Sequence, residues 1–139
     1  MEARQYLEAI ERLDSLIENK ALELAQLRDL SISLGAPADD GSGIRATGVS
    51  DRIGNISIRI VDLEREISAL VEKKQQRLDV IEAAPNFLQY TVLYKRYVQY
   101  KQLTTISYEE GYSYQYIVEV HQKALHYVQE RTKNLYKPI

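Results

Sequence analysis

Residues 103–120 carry the spacing that most restricts how this chain can fold. Counted from Leu103, isoleucine stands fourth at Ile106 and fifteenth at Ile117, and glycine stands ninth at Gly111. This spacing suits two helices that pack against each other across a sharp turn, where glycine takes a positive φ at low cost. The segment is therefore predicted to be a helix-turn-helix.

The second helix of this segment is predicted to bury one face and expose the other. Ser113 is placed to cap it, because a serine hydroxyl accepts a hydrogen bond from a free backbone N–H. Its predicted core residues are Ile117, Val120, Ala124 and Val128. The residues left outward are where such a helix contacts base edges in a major groove. The predicted DNA-contacting residues here are Ser113, Tyr114, Gln115, Tyr116 and Glu119.

Each outward residue has a specific predicted role and an alternative. Gln115 can read adenine and Glu119 can accept from cytosine. Tyr114 and Tyr116 can bond phosphates, stack, or pack on thymine methyl groups, and they can equally form a protein interface. A plain solvated helix surface is the alternative for Gln115 and Glu119.

The two halves of the chain differ in charge. Residues 1–84 hold 11 Lys and Arg against 16 Asp and Glu, whereas residues 85–139 hold 7 against 4. A positive C-terminal half is expected if phosphates are its partner. The alternative is a chance scatter of charge between two helical segments. The predicted phosphate-contacting residues are Lys95, Arg96, Lys101, Lys123, Arg131 and Lys133.

Short segments along nearly the whole chain carry a family resemblance. In the C-terminal half they are Leu93-Tyr94-Lys95-Arg96-Tyr97, Tyr112-Ser113-Tyr114, His121 and Ala124-Leu125; in the N-terminal half they are Arg4-Gln5-Tyr6-Leu7 and Ile60-Val61-Asp62-Leu63-Glu64. These segments resemble the ArpU/RinA-like phage late-gene transcription regulators. The resemblance implies a C-terminal helix-turn-helix like region four of sigma factors, which binds promoter DNA and activates late genes, with host RNA polymerase as a further partner.

Residues 1–84 are predicted to form two long amphipathic helices. The apolar stripe of the first consists of Ile10, Leu13, Ile17, Leu24 and Leu27, widened by Leu7, Leu16, Leu22 and Leu30. The stripe of the second consists of Ile53, Ile56, Ile60, Leu63, Ile67 and Leu70, and then shifts to Val71, Leu78 and Ile81. Steps of three and four residues are typical of coiled coils. We therefore expect an antiparallel hairpin in which each stripe buries the other.

The predicted connection between these helices is residues 35–50. It is rich in glycine and holds Pro37, Asp39 and Asp40, but it lacks the pattern of a phosphate-binding loop. We interpret it as a mobile hairpin connection. Because the first stripe is too broad for one partner helix, either a second copy of the chain or the C-terminal unit is expected to cover the rest, and we expect a homodimer.

Ten of the eleven tyrosines lie at or beyond Tyr90. A tyrosine ring can fill a core while its hydroxyl reaches water or a backbone carbonyl. This mainly structural role is predicted for Tyr94, Tyr97, Tyr112 and Tyr127.

Composition argues against several other classes of protein. The chain has no cysteine, no apolar run near the 20 residues of a membrane helix, and no N-terminal signal pattern. His121 and His126 are five residues apart, which is unsuitable for a shared metal, and His121 is expected to be packed or capping. We therefore expect a non-enzymatic protein of the bacterial host cytoplasm, with no catalytic residues, no cofactor, no metal and no membrane partner.

The sequence thus predicts an all-α protein with a coiled-coil hairpin for self-association over 1–84 and a helix-turn-helix domain over 85–139. Its predicted function is that of a phage or prophage regulator bound to double-stranded DNA. One alternative is a protein-interaction module that uses the same domain to bind RNA polymerase or a host regulator. A purely structural coiled-coil component of a particle is a third hypothesis, which leaves the Gly111 turn unexplained.

Overall fold

A computed structural model describes residues 2–35 and 47–133, and all the regular structure in these ranges is helical. The elements are α1 (Glu2–Gly35), α2 (Thr47–Glu82), α3 (Phe87–Leu93), a π-helical turn (Tyr94–Val98), α4 (Leu103–Glu110) and α5 (Tyr114–Thr132). The predicted all-α class is confirmed. Helix α2 begins at Thr47, within the predicted connection over residues 35–50. Of the predicted connection over 35–50, residues 36–46 lie outside the described part of the chain.

The chain divides into two compact units. Met1–Asp14 and Glu72–Ile139 form one, which we call the terminal unit, and Ser15–Val71 forms the other, the middle unit. Helices α1 and α2 each contribute a segment to both units. The division therefore falls within the long helices, and not between residues 84 and 85 where the two predicted domains meet. Those domains were defined by role, self-association and DNA binding, and they stay a prediction.

The larger core of the terminal unit joins the ends of the long helices to α3 and α5. Its buried residues are Ala3, Tyr6, Leu7, Ile10, Val80, Ile81, Leu93, Tyr97, Ala124, Leu125 and Val128. Two polar contacts join residues around this core. The Tyr127 hydroxyl donates to the Val80 carbonyl at 2.8 Å, and the Arg77 guanidinium lies 4.4 Å from the centre of the Tyr6 ring. The first turns of α1 are therefore built into the same core as α5.

A smaller core lies where α3, α4 and α5 meet. It consists of the buried residues Val92, Ile106, Ile117 and Val120, with Leu88 and Leu103 packed against them. Proline cannot continue a helix, and Pro85 follows shortly after α2. The Asn86 side chain then caps the start of α3 by accepting from the Gln89 N–H at 2.9 Å. Helix α2 therefore ends before Pro85, and a separately capped helix, α3, begins after it and contributes to both cores.

The middle unit has few buried apolar residues in its described part. Leu24 and Leu63 are the buried ones, while Leu22, Ile32 and Ile58 are 60%, 72% and 62% exposed. Ion pairs link its two helical segments at 2.8–2.9 Å: Lys20 with Glu66, Arg28 with Glu64, and Arg59 with Glu23. This unit therefore relies on charged pairs as well as on its apolar seam.

Helix α2 departs from its predicted apolar stripe at one residue. Val71 was expected in the stripe but is 46% exposed. Lys74 stands one helical turn after Leu70 on the buried side, and its ammonium pairs with Asp14 at 2.6 Å. The predicted assignment of Val71 to the stripe is therefore wrong, because a long lysine stem can line the seam while its charge finds a partner.

Candidate nucleic-acid interface

The turn between α4 and α5 has the predicted local geometry. Gly111 takes a left-handed conformation with φ 73°, and the backbone N–H groups of Gly111 and Tyr112 donate to the Ser107 carbonyl at 3.0 and 3.1 Å. The Ser113 hydroxyl accepts from the Tyr116 N–H at 3.1 Å and so caps α5. The predicted roles of Gly111 and Ser113 in the backbone are confirmed.

Helix α5 also has the predicted inner face. Ile117 and Val120 are buried in the smaller core, and Ala124 and Val128 are buried in the larger one. One helix therefore contributes to both cores along successive turns. Packing of this kind holds the opposite face of α5 in a fixed orientation.

The outward residues of α5 are accessible. Tyr114 is 51% exposed, Tyr116 is 44% exposed, and the side chains of Gln115, Glu119 and Lys123 are exposed as well. They occupy the first two to three turns of the helix, which is the part that enters a major groove in helix-turn-helix proteins. Their predicted contacts with bases and phosphates remain predictions.

Tyr112 was expected to be mainly a core residue and is 48% exposed. It follows the left-handed Gly111, so the chain turns outward at this point. Its ring lies 5.2 Å from the ring of Tyr116, centre to centre. The expectation for Tyr112 is therefore wrong. The remaining three structural tyrosines, Tyr94, Tyr97 and Tyr127, are buried or half-buried.

Two of the predicted phosphate contacts are occupied by carboxylates. Lys95 pairs with Glu110 at 2.9 Å and with Glu109 at 3.1 Å, and Lys101 pairs with Glu109 at 2.9 Å. The hydrogen bonds that Lys95 donates to Glu110 and then to Glu109 raise the pKa of Lys95. The hydrogen bonds that Glu109 accepts from Lys101 and then from Lys95 lower the pKa of Glu109. These carboxylates offset most of the charge of both ammonium groups, so less of it is left for a phosphate.

Arg96, a third predicted phosphate contact, lines an open pocket of about 350 Å³ in the terminal unit. Arg4 of α1 and Tyr114 of α5 line the same pocket. The Tyr97 hydroxyl and His121 Nε2 share a hydrogen bond of 2.7 Å in the wall, where both residues are buried. The predicted packed role of His121 is confirmed.

The electrostatics of this wall follow from burial and from the two arginines. Burial raises the pKa of Tyr97 to about 12, against the opposing charges of Arg4 and Arg96. Burial, and then the same two charges, lower the pKa of His121 to about 4. Near neutral pH the pair is therefore uncharged, and the positive charge of the pocket comes from guanidinium groups.

A second pocket, of about 530 Å³, lies between the start of α3 and α5. Phe87, Tyr112 and Tyr116 supply aromatic surface, and Phe87 is 78% exposed. The Gln89 Oε1 atom is buried and accepts no hydrogen bond from the described residues.

Sequence reasoning missed Arg4 as a candidate site residue. Arg4 precedes Arg96 by 92 residues in the sequence, and no local pattern relates the two. The nearest available signal was the apolar spacing of Ala3, Leu7 and Ile10, which indicates that the first turns of α1 pack on something. Among the described residues, no group of three or more His, Asp or Glu side chains could hold a metal ion.

Comparison with known proteins gives no family assignment. No protein-family model, no curated protein and no solved structure matches this chain. Within the described ranges, none of the helices combines the length and apolar character needed to cross a membrane.

Proposed function

We propose that this chain is a transcription regulator of the phage or prophage type, which binds promoter DNA through α4 and α5 as a helix-turn-helix. The observation that carries the proposal is the accessible face of α5, held by two buried cores and preceded by a capped glycine turn. The resemblance to the ArpU/RinA-like regulators supports the same function. Such a protein would act in the cytoplasm of a bacterial host, without catalysis.

Base recognition in this proposal uses the exposed start of α5. Gln115 offers an amide that can pair with adenine, and Glu119 offers an acceptor for the amino group of cytosine. Tyr114 and Tyr116 can pack on thymine methyl groups or donate to phosphates. All four side chains are exposed, so none must leave a core to reach DNA.

Phosphate binding in this proposal is modest. Lys95 and Lys101 are engaged with Glu109 and Glu110, which leaves Arg96, Arg4 and Lys123 as the nearest cations outside an ion pair among the described residues. Few phosphate contacts give a shallow dependence of affinity on salt. Two half-sites bound by a dimer would raise the effective affinity without new contacts per subunit.

We further propose that α1 and α2 form an antiparallel coiled-coil hairpin through which two copies associate. The exposed apolar residues of the middle unit, such as Leu22, Ile32 and Ile58, support this. Apolar surface of this kind is often covered by a partner. Activation of late genes would then follow from binding beside a promoter and contacting host RNA polymerase.

Fluorescence polarisation tests the DNA-binding proposal directly. Purified full-length protein is titrated against pooled short duplexes from the neighbouring genome, at two salt concentrations. We expect tight binding to one duplex that weakens as salt is raised. Flat curves for all duplexes at both concentrations would reject the proposal.

A protein-interaction module is the second candidate, and the aromatic pocket favours it. Phe87 is largely exposed, and it lines this pocket together with the partly exposed rings of Tyr112 and Tyr116. The double variant Gln115→Ala/Tyr116→Ala separates the candidates. Loss of DNA binding supports the regulator, whereas loss of binding to RNA polymerase or a host regulator, with DNA binding unchanged, supports the interaction module. Gln122→Ala, also exposed on α5, serves as the control.

A further inference from the structure

The pocket beside α4 collects positive charge from two distant parts of the chain. Arg4 comes from the first turn of α1, and Arg96 from the π-helical turn before α4. Glu8 is the carboxylate that lines the pocket with them, so the formal charge of the lining is positive. Among residues 2–35 and 47–133, neither arginine forms an ion pair. This contrasts with Lys95 and Lys101, whose charges are neutralised by adjacent carboxylates.

Arg96 is held in position by contacts that leave donors available. One of its terminal nitrogens donates to the Lys101 carbonyl at 3.4 Å, and the guanidinium lies 5.7 Å from the centre of the Tyr97 ring. A guanidinium has five N–H donors in a planar fork, which suits the oxygens of a phosphate. A single long hydrogen bond uses one of these donors.

Helix α4 begins at the same pocket. Gln102, at the N-cap, makes no side-chain capping bond, and Leu103 and Thr104 of the first turn line the pocket. The first backbone N–H groups of a helix lack intrahelical acceptors and carry partial positive charge. They add hydrogen-bond donors to the charge that the arginines supply.

We propose that this pocket binds a phosphate group, held by Arg4, Arg96 and the start of α4. The source of the phosphate rests on the proposed function: it is the DNA backbone beside the exposed start of α5, because Tyr114 of that helix lines the pocket. The buried pair Tyr97 and His121 forms an uncharged wall that positions the arginines. Arg4 thereby makes the N-terminal helix part of the DNA-binding surface.

The first arm of the test measures DNA binding as a function of salt. Arg4→Gln and Arg96→Gln are compared with the natural protein by fluorescence polarisation on one duplex across a series of NaCl concentrations. Each variant is expected to reduce the slope of log K against log salt, and Arg4→Gln/Arg96→Gln is expected to reduce it by about 0.9, the effect of one lost phosphate contact. Arg4→Lys keeps a charge and should restore the slope.

Arg65→Gln is the matched control for this arm. It removes the same charge from an exposed residue of α2 in the middle unit, which is not among the predicted phosphate contacts. Its slope is expected to equal that of the natural protein. Circular dichroism checks that each variant is folded, and because Arg4 is exposed, its variant decides the test if Arg96→Gln is unstable.

The second arm uses inorganic phosphate without DNA. Backbone amide signals of Leu103 and Thr104 are followed by NMR as sodium phosphate is added, against sodium chloride at equal ionic strength. Saturable shifts are expected in the natural protein and not in Arg4→Gln/Arg96→Gln.

The two arms together separate the possible results. Reduced slopes in the first arm support a backbone phosphate. Saturable phosphate binding with unchanged slopes supports a phosphate site that takes a free phosphate compound instead. No phosphate binding with unchanged slopes overturns the pocket proposal while the DNA-binding proposal stands. If the natural protein binds no DNA, the proposed function fails and the second arm alone decides the pocket.

Discussion

The terminal unit and the middle unit solve the problem of burying apolar side chains in different ways. In the terminal unit, segments from every helix converge, and two clusters of buried residues result. In the described part of the middle unit, two helical segments meet along one seam, with Leu24 and Leu63 buried. Two helices can cover only one stripe of each other, so side chains outside that stripe stay exposed. A buried core needs several converging elements, and a two-helix segment keeps surface for a partner.

This difference matches the proposed division of labour. A recognition helix needs a fixed orientation, and α5 obtains it from both clusters of the terminal unit. A self-association surface needs accessible apolar residues, and the middle unit supplies them. The following predictions test whether the two units differ in this way.

Truncation of a core leucine should have the largest effect. Leu125 is 2% exposed in the larger core, so Leu125→Ala is expected to lower the free energy of unfolding by about 2–5 kcal/mol. Leu22 is 60% exposed in the middle unit, so Leu22→Ala should change it by about 0.5 kcal/mol or less. Urea denaturation followed by far-UV circular dichroism measures both.

Repeating the unfolding measurements at several protein concentrations extends the comparison of Leu125→Ala with Leu22→Ala. If a second copy covers the middle unit, the cost of Leu22→Ala should grow as the protein concentration is raised, because dimerisation stabilises the folded state. A cost for Leu22→Ala equal to that of Leu125→Ala at every concentration would contradict the distinction between the units.

Acid should destabilise the terminal unit through His121. The pKa of this imidazole is lowered to about 4 in the folded chain, from an ordinary value of 6.5. Between those values the unfolded chain binds the extra proton, so stability falls as pH drops from about 6.5 to about 4. The loss is about 3 kcal/mol at most, at 1.36 kcal/mol per pKa unit.

His121→Gln isolates this contribution. Unfolding in urea at several pH values should give a flatter profile in the same window for the variant, because glutamine does not titrate. His126→Gln removes an exposed histidine from the same helix and controls for the loss of a histidine as such. A His121→Gln profile as steep as that of the natural protein would contradict the assignment.

Local features of the candidate site were predictable from sequence, because neighbouring residues decide them. The turn at Gly111, the cap at Ser113 and the inner face of α5 each depend on spacing within a few residues. Helical class and the apolar stripes of α1 and α2 follow from periodicity for the same reason. Val71 was missed because the pattern cannot show that a lysine stem lines the seam.

Features that depend on tertiary packing were not predictable in this way. Arg4 meets the pocket of Arg96 because the first turns of α1 enter the larger core. Lys95 and Lys101 reach Glu109 because the chain reverses between the π-helical turn and α4, where Tyr100 takes a left-handed conformation with φ 60°. No glycine or proline marks that reversal in the sequence.

The same glycine substitution should have opposite effects in the two units. Gly111→Ala forces alanine into the left-handed region and should cost about 1–2 kcal/mol. Gly54 lies within α2, so Gly54→Ala should stabilise by about 0.5–1 kcal/mol. At neither residue would an added Cβ meet another atom within 4 Å, so the backbone conformation alone decides the sign. Thermal unfolding measures both, and effects of the same sign would contradict the backbone assignment at one of them.

The ion pairs of the middle unit should have the smallest effect. Arg59 and Glu23 approach to 2.9 Å, with side chains 42% and 43% exposed. Exposed pairs of this kind contribute about 0.2–1 kcal/mol, and salt screens them. A double-mutant cycle with Arg59→Gln and Glu23→Gln should therefore give a coupling energy in that range, smaller at 1 M NaCl than at low salt. A larger coupling energy that does not fall with salt would mean that this pair is shielded from water. A second copy packed over the pair would have that effect. The middle unit would then owe more of its stability to association than to its own seam.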